Sequence, residues 1–280
     1  MTARVLVIAA ALCVASAVLT HAAPDPRAAR EPRVGSAVEP LRVCSDPNDL
    51  PFSNKAREGL ENRLAELIAR DRGTTVQYTW WAQRRGFLRN TLNAGTCDVV
   101  MGYPTNADPV ATTRPYYRST YVFVTRRSEH LHVHSLDDPV LRTVRVGVQL
   151  VGDDGANSPP AHALSRRGIV RNVVGYTVYG DYRQPNPSSD IVRAVARGEV
   201  DVAAVWGPLA GFFAARQKVP LELAPVTPRV DGALPETFSI SMAVRKGDTV
   251  RLQMLDRFIA THRREIATVL REYHVPTVEE

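Results

Sequence analysis

The chain has 280 residues, 44% hydrophobic and 23% charged, with a formal net charge of +6. Its basic residues are scattered, with pairs at Arg84-Arg85, Arg126-Arg127, Arg166-Arg167 and Arg263-Arg264 and no basic stripe interleaved with aromatics, which argues against a nucleic-acid role. Dispersed charge of this kind keeps a protein in solution, and a modest positive field also steers docking onto an acidic protein.

At the N-terminus Arg4 precedes an apolar run from Val5 to Leu19, then the small residues Ala22 and Ala23. Residues 1–23 therefore read as a secretory signal peptide, too short and wrongly flanked for a membrane span, with cleavage near Ala22 or Ala23. Removing them takes away Arg4 and leaves a net charge of about +5. No later stretch is apolar for long enough to cross a bilayer. Residues 24–40 carry Pro24, Pro26, Pro32 and Pro40 among Arg, Glu and Ala, the composition of a flexible leader. Loss of Cys13 leaves Cys44 and Cys97. They fall on neighbouring strands of a parallel sheet, and an oxidising compartment favours a disulfide between them; the alternative is two buried thiols.

Leu41 to Val43 is the first apolar run of the mature chain and is expected to be a core strand. The turn-forming stretch Ser45-Asp46-Pro47-Asn48-Asp49 breaks it, and Glu58 to Ala69 follows with Leu60, Leu64, Leu67 and Ile68 at helical spacing. In an open α/β sheet such a loop, at the carboxyl end of a strand, is where ligands sit. A faint internal echo appears next. Leu88, Leu92 and Gly95 precede Asp98 to Met101, just as Ile191, Val195 and Gly198 precede Asp201 to Val205. Each unit is a helix stopped by a glycine and followed by an apolar strand, so two similar α/β lobes are expected. Tyr121 to Thr125 and Ile240 to Val244 are the candidate crossovers. Leu252, Leu255, Phe258, Ile259, Ile266, Val269 and Leu270 predict one or two C-terminal helices that return to the first lobe.

The strand ends carry the candidate cleft residues: Asp46, Asn48 and Phe52; Tyr103, Pro104 and Thr105; Asp153, Asp154 and Asn157; and Trp206. Aromatic side chains with a few aimed polar groups are what a small-molecule site uses, although each residue taken singly also serves as an ordinary turn former. Ser158 reads as a helix cap ahead of Pro159-Pro160 and a helix over Ala161 to Arg166. His130, His132 and His134 alternate and would share one face of a strand, but no cysteine or further histidine lies near, so no metal site is expected. The chain has no G-x-S-x-G, no H-E-x-x-H, no phosphate-binding loop and no G-x-G-x-x-G, and no catalytic role is expected.

Five further stretches complete a pattern with LRVCSDPNDLPFSN (41–54). They are GTCDVVMGYP (95–104), TTRPYYRSTYVFVTR (112–126), VGVQLVGDDGANSPPAHAL (146–164), GYTVYGDYRQPNP (175–187) and VDVAAVWGPLAGFFA (200–214). In this order they resemble the type II periplasmic solute-binding proteins, and within them the MxaJ/XoxJ subgroup encoded beside PQQ-dependent methanol dehydrogenases. The resemblance implies an α/β fold of two lobes joined by a two-strand hinge around a central cleft. It sets the first lobe at 41–122, the second at 123–240 and the return at 241–280. It also implies a periplasmic location and docking onto the dehydrogenase large subunit in aid of its maturation or activation. PQQ and a calcium or lanthanide ion would be the partner's cofactors, with none held by this chain. The alternative is the receptor of an ABC importer for a small solute. Amino-acid binders of this fold grip the carboxylate with an arginine soon after the second strand. Here Asn106-Ala107-Asp108-Pro109 has none; Arg114, beside Pro115-Tyr116-Tyr117, is the candidate to serve instead, and Asp153-Asp154 would repel a carboxylate. A cationic or polyhydroxylated ligand, or none, fits better.

Overall fold

The computed structural model describes residues 38–151 and 157–279. The expected signal peptide, residues 24–37 of the expected leader, and Asp153 and Asp154 lie outside them.

The expected first strand is β1 (Leu41–Ser45), paired in parallel with β2 (Val76–Trp80) and β3 (Val99–Pro104). Between β1 and β2 runs α1 (Leu60–Asp71), which buries Leu60, Leu64, Ala65 and Ile68 at helical spacing. The helix expected before Gly95 is only the single turn α2 (Phe87–Asn90). The Thr91 hydroxyl donates back to the Phe87 carbonyl at 2.6 Å, which competes with continuing the helix. In the second half of the echo the helix is fuller: α4 (Asp190–Arg197) ends on Gly198 at φ 74° and leads into β7 (Val202–Trp206). β5 (Val146–Leu150) lies beside β7, and β6 (Val173–Thr177) beside β5, all parallel.

One long strand joins these two parallel groups. In β4 (Tyr117–Arg126), Tyr117 to Thr120 pair antiparallel with β9 (Thr237–Val244), and Tyr121 to Thr125 pair antiparallel with β7. From Val122 onward β4 also takes β8 (Leu221–Pro225) antiparallel. The remainder of β9 pairs with β3, with a register shift between Ser241 and Ala243, and with the short strand Ala111–Thr112. The result is a ten-stranded mixed sheet whose main order is β2-β1-β3-β9-β4-β7-β5-β6.

Because side chains alternate along a strand, each half of this sheet has a core on both faces. Val43, Val99 and Met101 face α1 and the two C-terminal helices, α6 (Thr249–Thr261) and α7 (Arg263–Glu272). Cys44 and Val100 face the opposite side with Phe87, Leu92 and Cys97. In the other half, Val122, Val124, Ala203 and Val205 meet α4 and α5 (Gly207–Ala214), while Phe123, Val146, Val148 and Ala204 meet α3 (Pro159–Arg166). Cys44 and Cys97 form a disulfide with their Cα atoms 5.3 Å apart. Leu50, from the loop after β1, is buried in the core cluster of the far half.

Candidate functional site

The loop after β1 is clamped onto the start of α1. A Cβ on Gly59 would lie 2.0 Å from the Phe52 carbonyl oxygen, so only glycine admits this approach. The backbone N–H groups of Leu60 and Glu61 donate to Pro51 and Phe52, and the Asn62 side-chain oxygen accepts from the N–H groups of Gly59 and Asn54. These bonds set Asp49 of the loop and Glu61 of the helix against the gap between the two halves of the sheet.

That gap holds a cavity of about 680 Å³. Its walls include Phe52, Phe87, Tyr103, Tyr117, Tyr179 and Trp206, and Glu61 and Asp49 also line it, while the exposed Arg84 and Arg89 stand at its rim. Glu61 is 5% exposed, and its side chain accepts no hydrogen bond from the described residues. Burial, followed by the charge of Asp46, pushes its carboxyl up to about 8. Burial raises Asp49 well above the ordinary carboxylate range, with Asp46 and Glu61 adding to it. Gly102 of β3 makes room for Glu61, since a Cβ there would sit 2.1 Å from Glu61 Oε1.

Asp46 is buried and differently placed. It accepts from the Asn48 N–H at 2.8 Å, the Gln83 N–H at 2.5 Å and the Tyr182 hydroxyl at 2.6 Å. Burial still raises its carboxyl, against the lowering effect of these donors. Tyr182 belongs to the segment 178–189, which follows β6 and closes over the cavity. The same segment gives its Gln184 carbonyl to Asn48 Nδ2 at 2.9 Å and its Asn186 N–H to Asn48 Oδ1 at 3.1 Å. Ser188 Oγ donates to the Leu50 carbonyl at 3.2 Å. The loop after β1 is thus latched across the gap by the chain's own groups.

Among the expected cleft residues, Phe52, Tyr103, Pro104 and Trp206 line the cavity. Trp206 packs its ring edge-on against Tyr121 and Phe238, and its backbone N–H donates to Gln149 Oε1 at 2.7 Å. Asp46 and Asn48 belong to the latch instead. Thr105 bonds to Ser241 and Ser239, where β3 meets β9. Arg114 lies against α6, its N–H on Asp256 Oδ1 at 2.7 Å and its side chain 3.5 Å from the same carboxylate. Asn157 bridges to Leu150 outside the cavity lining.

Ser158 occupies the N-cap of α3, but its buried hydroxyl has no partner among the described residues. The segment carrying His132 and His134 is not a strand, so the three histidines share no face. Among the described residues no group of three or more His, Cys, Asp and Glu is placed to hold a metal ion, and no helix is long and apolar enough to cross a membrane. Asp49, Glu61 and Tyr182 were not singled out from the sequence. For Glu61 a signal existed: it stands four and seven residues before Ala65 and Ile68, on the buried stripe of α1, where a carboxylate is out of place.

Residues 41–274 match the bacterial extracellular solute-binding proteins, family 3. The chain is 31% identical over 291 residues to the protein MoxJ of Methylorubrum extorquens, covering 99% of this chain and 93% of that one. The crystal structure of the periplasmic binding protein XoxJ from Methylobacterium extorquens AM1 is similar with a TM-score of 0.70 at 33% identity, covering 86% of this chain and all of that one. That of MxaJ from Methylophaga aminisulfidivorans MPT shares the fold, with a TM-score of 0.71 at 24% identity over 85% of this chain and all of that one. The architecture is accordingly the type II periplasmic binding fold: two α/β lobes, two connecting strands and a cleft.

Proposed function

Because the chain belongs to the bacterial extracellular solute-binding proteins of family 3, we propose that it is a periplasmic binding protein that assists a PQQ-dependent methanol dehydrogenase. It docks onto that enzyme's large subunit and aids its maturation or activation, and performs no bond-making chemistry of its own. PQQ and the calcium or lanthanide ion of this reading belong to the partner. The lobes are 41–122 with 241–280, and 123–240, and the cleft between them grips a segment of the partner. Its working residues combine the cavity wall (Phe52, Tyr103, Pro104, Trp206) with the latch (Asp46, Asn48).

The observation that carries this reading is likeness to the protein MoxJ along almost the whole chain. Light scattering of the secreted chain mixed with apo and holo dehydrogenase tests it. A complex with either form is expected, and separate elution from both would sink the proposal.

The cavity of about 680 Å³ favours one other reading, the receptor of an ABC importer. That reading expects a small solute to raise the melting temperature by mass action. It also expects permease and ATPase genes beside this one, where the first reading expects a dehydrogenase large subunit and a c-type cytochrome.

A further inference from the structure

The stretch from Tyr78 to Arg89, which spans the end of β2 and the start of α2, carries a surface patch that the latch leaves free. β2 is an edge of the sheet, and on it the rings of Tyr78 and Trp80 stack 4.7 Å apart. Beyond them Trp81 is 44% exposed, and Arg84, Arg85 and Arg89 are exposed as well. No carboxylate among the described residues forms an ion pair with any of these three arginines. Arg84 lies over the Tyr182 ring at 5.6 Å and acts on Asp46 only through space, since Asn48, Gln83 and Tyr182 already donate to that carboxylate. The pair Arg166-Arg167 shows the contrary arrangement, for both of its guanidinium groups bond to Asp231. Like charges crowded in one short loop repel one another, and carboxylates brought from outside relieve that repulsion.

The patch is also held in place before anything meets it. The Trp81 N–H donates to the Ser45 carbonyl at 2.9 Å, the Gln83 N–H to Asp46 Oδ2 at 2.5 Å, and the Phe87 N–H to the Arg84 carbonyl at 2.8 Å. Phe87 is buried with Leu92 and Cys97, and the disulfide ties Cys97 to β1. A surface fixed in advance loses less conformational freedom on contact. Tryptophan and arginine are also the side chains in which binding energy concentrates at protein interfaces.

Arg84 and Arg89 stand at the rim of the cavity, whereas Trp81 and Arg85 do not line it, so the patch runs from the cleft mouth onto the outer surface. The surface beside it is of mixed sign: Glu58 is exposed there, and Arg57, which lies over the Tyr78 ring at 5.2 Å, is 3.8 Å from Glu66. Neighbouring carboxylates of this kind repel the uniformly anionic face of a bilayer or a nucleic acid and suit a protein, whose charges alternate.

We propose that this patch is the face on which an acidic protein partner docks, its aspartate and glutamate side chains meeting Arg84, Arg85 and Arg89 while an apolar notch beside them takes the Trp81 indole. This rests on the reading of the chain as one that docks onto the dehydrogenase, and it names the surface that does so. The two parts of the patch have separable roles. Exposed charge steers the encounter, so the arginines set the association rate and its salt dependence; a desolvated aromatic anchor holds the complex, so Trp81 sets the dissociation rate.

Binding kinetics of the full secreted chain test this, on immobilised apo and holo dehydrogenase and on a short immobilised peptide of repeated Asp-Glu-Leu, at low and at physiological salt. R85E/R89E should associate at least about tenfold more slowly and with a flatter salt dependence. W81A should dissociate about tenfold faster with its salt dependence kept. R171E/R229E makes the same change of net charge on the other lobe and should associate within about twofold of the unaltered chain. Should W81A fail to fold, the arginine variants still decide. R85E/R89E binding like the unaltered chain, or R171E/R229E losing as much, overturns the proposal. So does binding to phosphatidylglycerol vesicles as tight as binding to protein. Patch-dependent binding of the peptide without any dehydrogenase complex would remove the dehydrogenase and leave the acidic partner standing. A dehydrogenase complex indifferent to the patch would do the reverse, and binding to neither would remove both.

Discussion

The hydroxyl of Tyr182 donates to the carboxylate of Asp46 at 2.6 Å, across 136 positions of sequence and across the gap between the two halves of the sheet. Hydrogen bonds to charged groups contribute more than neutral ones, on the order of 1.5–3 kcal/mol. Tyr182→Phe keeps the ring and removes only that donor. The expected result is faster hydrogen exchange over residues 178–189, a larger radius of gyration and a melting temperature lowered by several degrees. Unchanged exchange would show that Asn48 and Ser188 hold the latch alone.

Stability should fall as pH rises from mildly acidic to mildly basic. Burial raises Glu61 to about 8 and Glu236 to about 7, and both oxygens of Glu236 lack partners among the described residues. The folded chain therefore holds these protons more tightly than the unfolded chain does, whose glutamates titrate near 4.5. Their stabilising contribution is complete below that value and is lost as pH climbs through about 7 and then about 8. Asp201 and Asp231 are held low by hydrogen bonds from Arg145 and Arg167, so their contribution is lost only at acid pH, outside this window. Urea midpoints measured from pH 5 to 8.5 should decline, and Glu61→Gln and Glu236→Gln should each flatten part of the decline. A flat wild-type profile would contradict the burial of both groups.

Gly102→Ala places a methyl group 2.1 Å from Glu61 Oε1. Overpacking costs about 1–3 kcal/mol, and the low end applies here because the obstructing atom is the far end of a flexible side chain. Adding Glu61→Ala should return most of it by removing the obstructed carboxyl. Equal stability of Gly102→Ala and the unaltered chain would show that Glu61 swings aside at no cost.

The disulfide joins residues separated by 53 positions. Closing a loop of that length is worth about 4 kcal/mol in the chain-entropy account. Replacing both cysteines by serine should lower the unfolding free energy by roughly that amount under oxidising conditions and by nothing once the parent is reduced. An intact mass showing two free thiols in the secreted protein would remove the premise.

Local patterns carried what local physics decides. The short apolar runs ending at Val43 and at Met101 marked core strands, and the structure buries them on both faces with Cys44 bonded to Cys97. Glycine at 198 marked the end of a helix because the backbone there needs a positive φ. The site was less readable, since its parts meet only after folding. Nothing near Asp46 announces that Tyr182 will donate to the oxygen that also accepts from the Gln83 N–H. Arg114 was a candidate grip for a carboxylate until α6 supplied Asp256 beside it. Glu61 was hidden inside a helix whose hydrophobic spacing drew attention to its neighbours.

The route of β4 and β9 has a bearing on biogenesis. The face of β1 and β3 formed by Val43, Val99 and Met101 is covered in large part by Leu255, Phe258, Ile266 and Val269, from the last helices of the chain. A polypeptide emerging from an export channel with its N-terminus leading thus presents these strands uncovered until nearly all of it has crossed. Truncation before α6 should therefore leave Val43, Val99 and Met101 uncovered and yield a product that proteases remove rather than a smaller stable lobe.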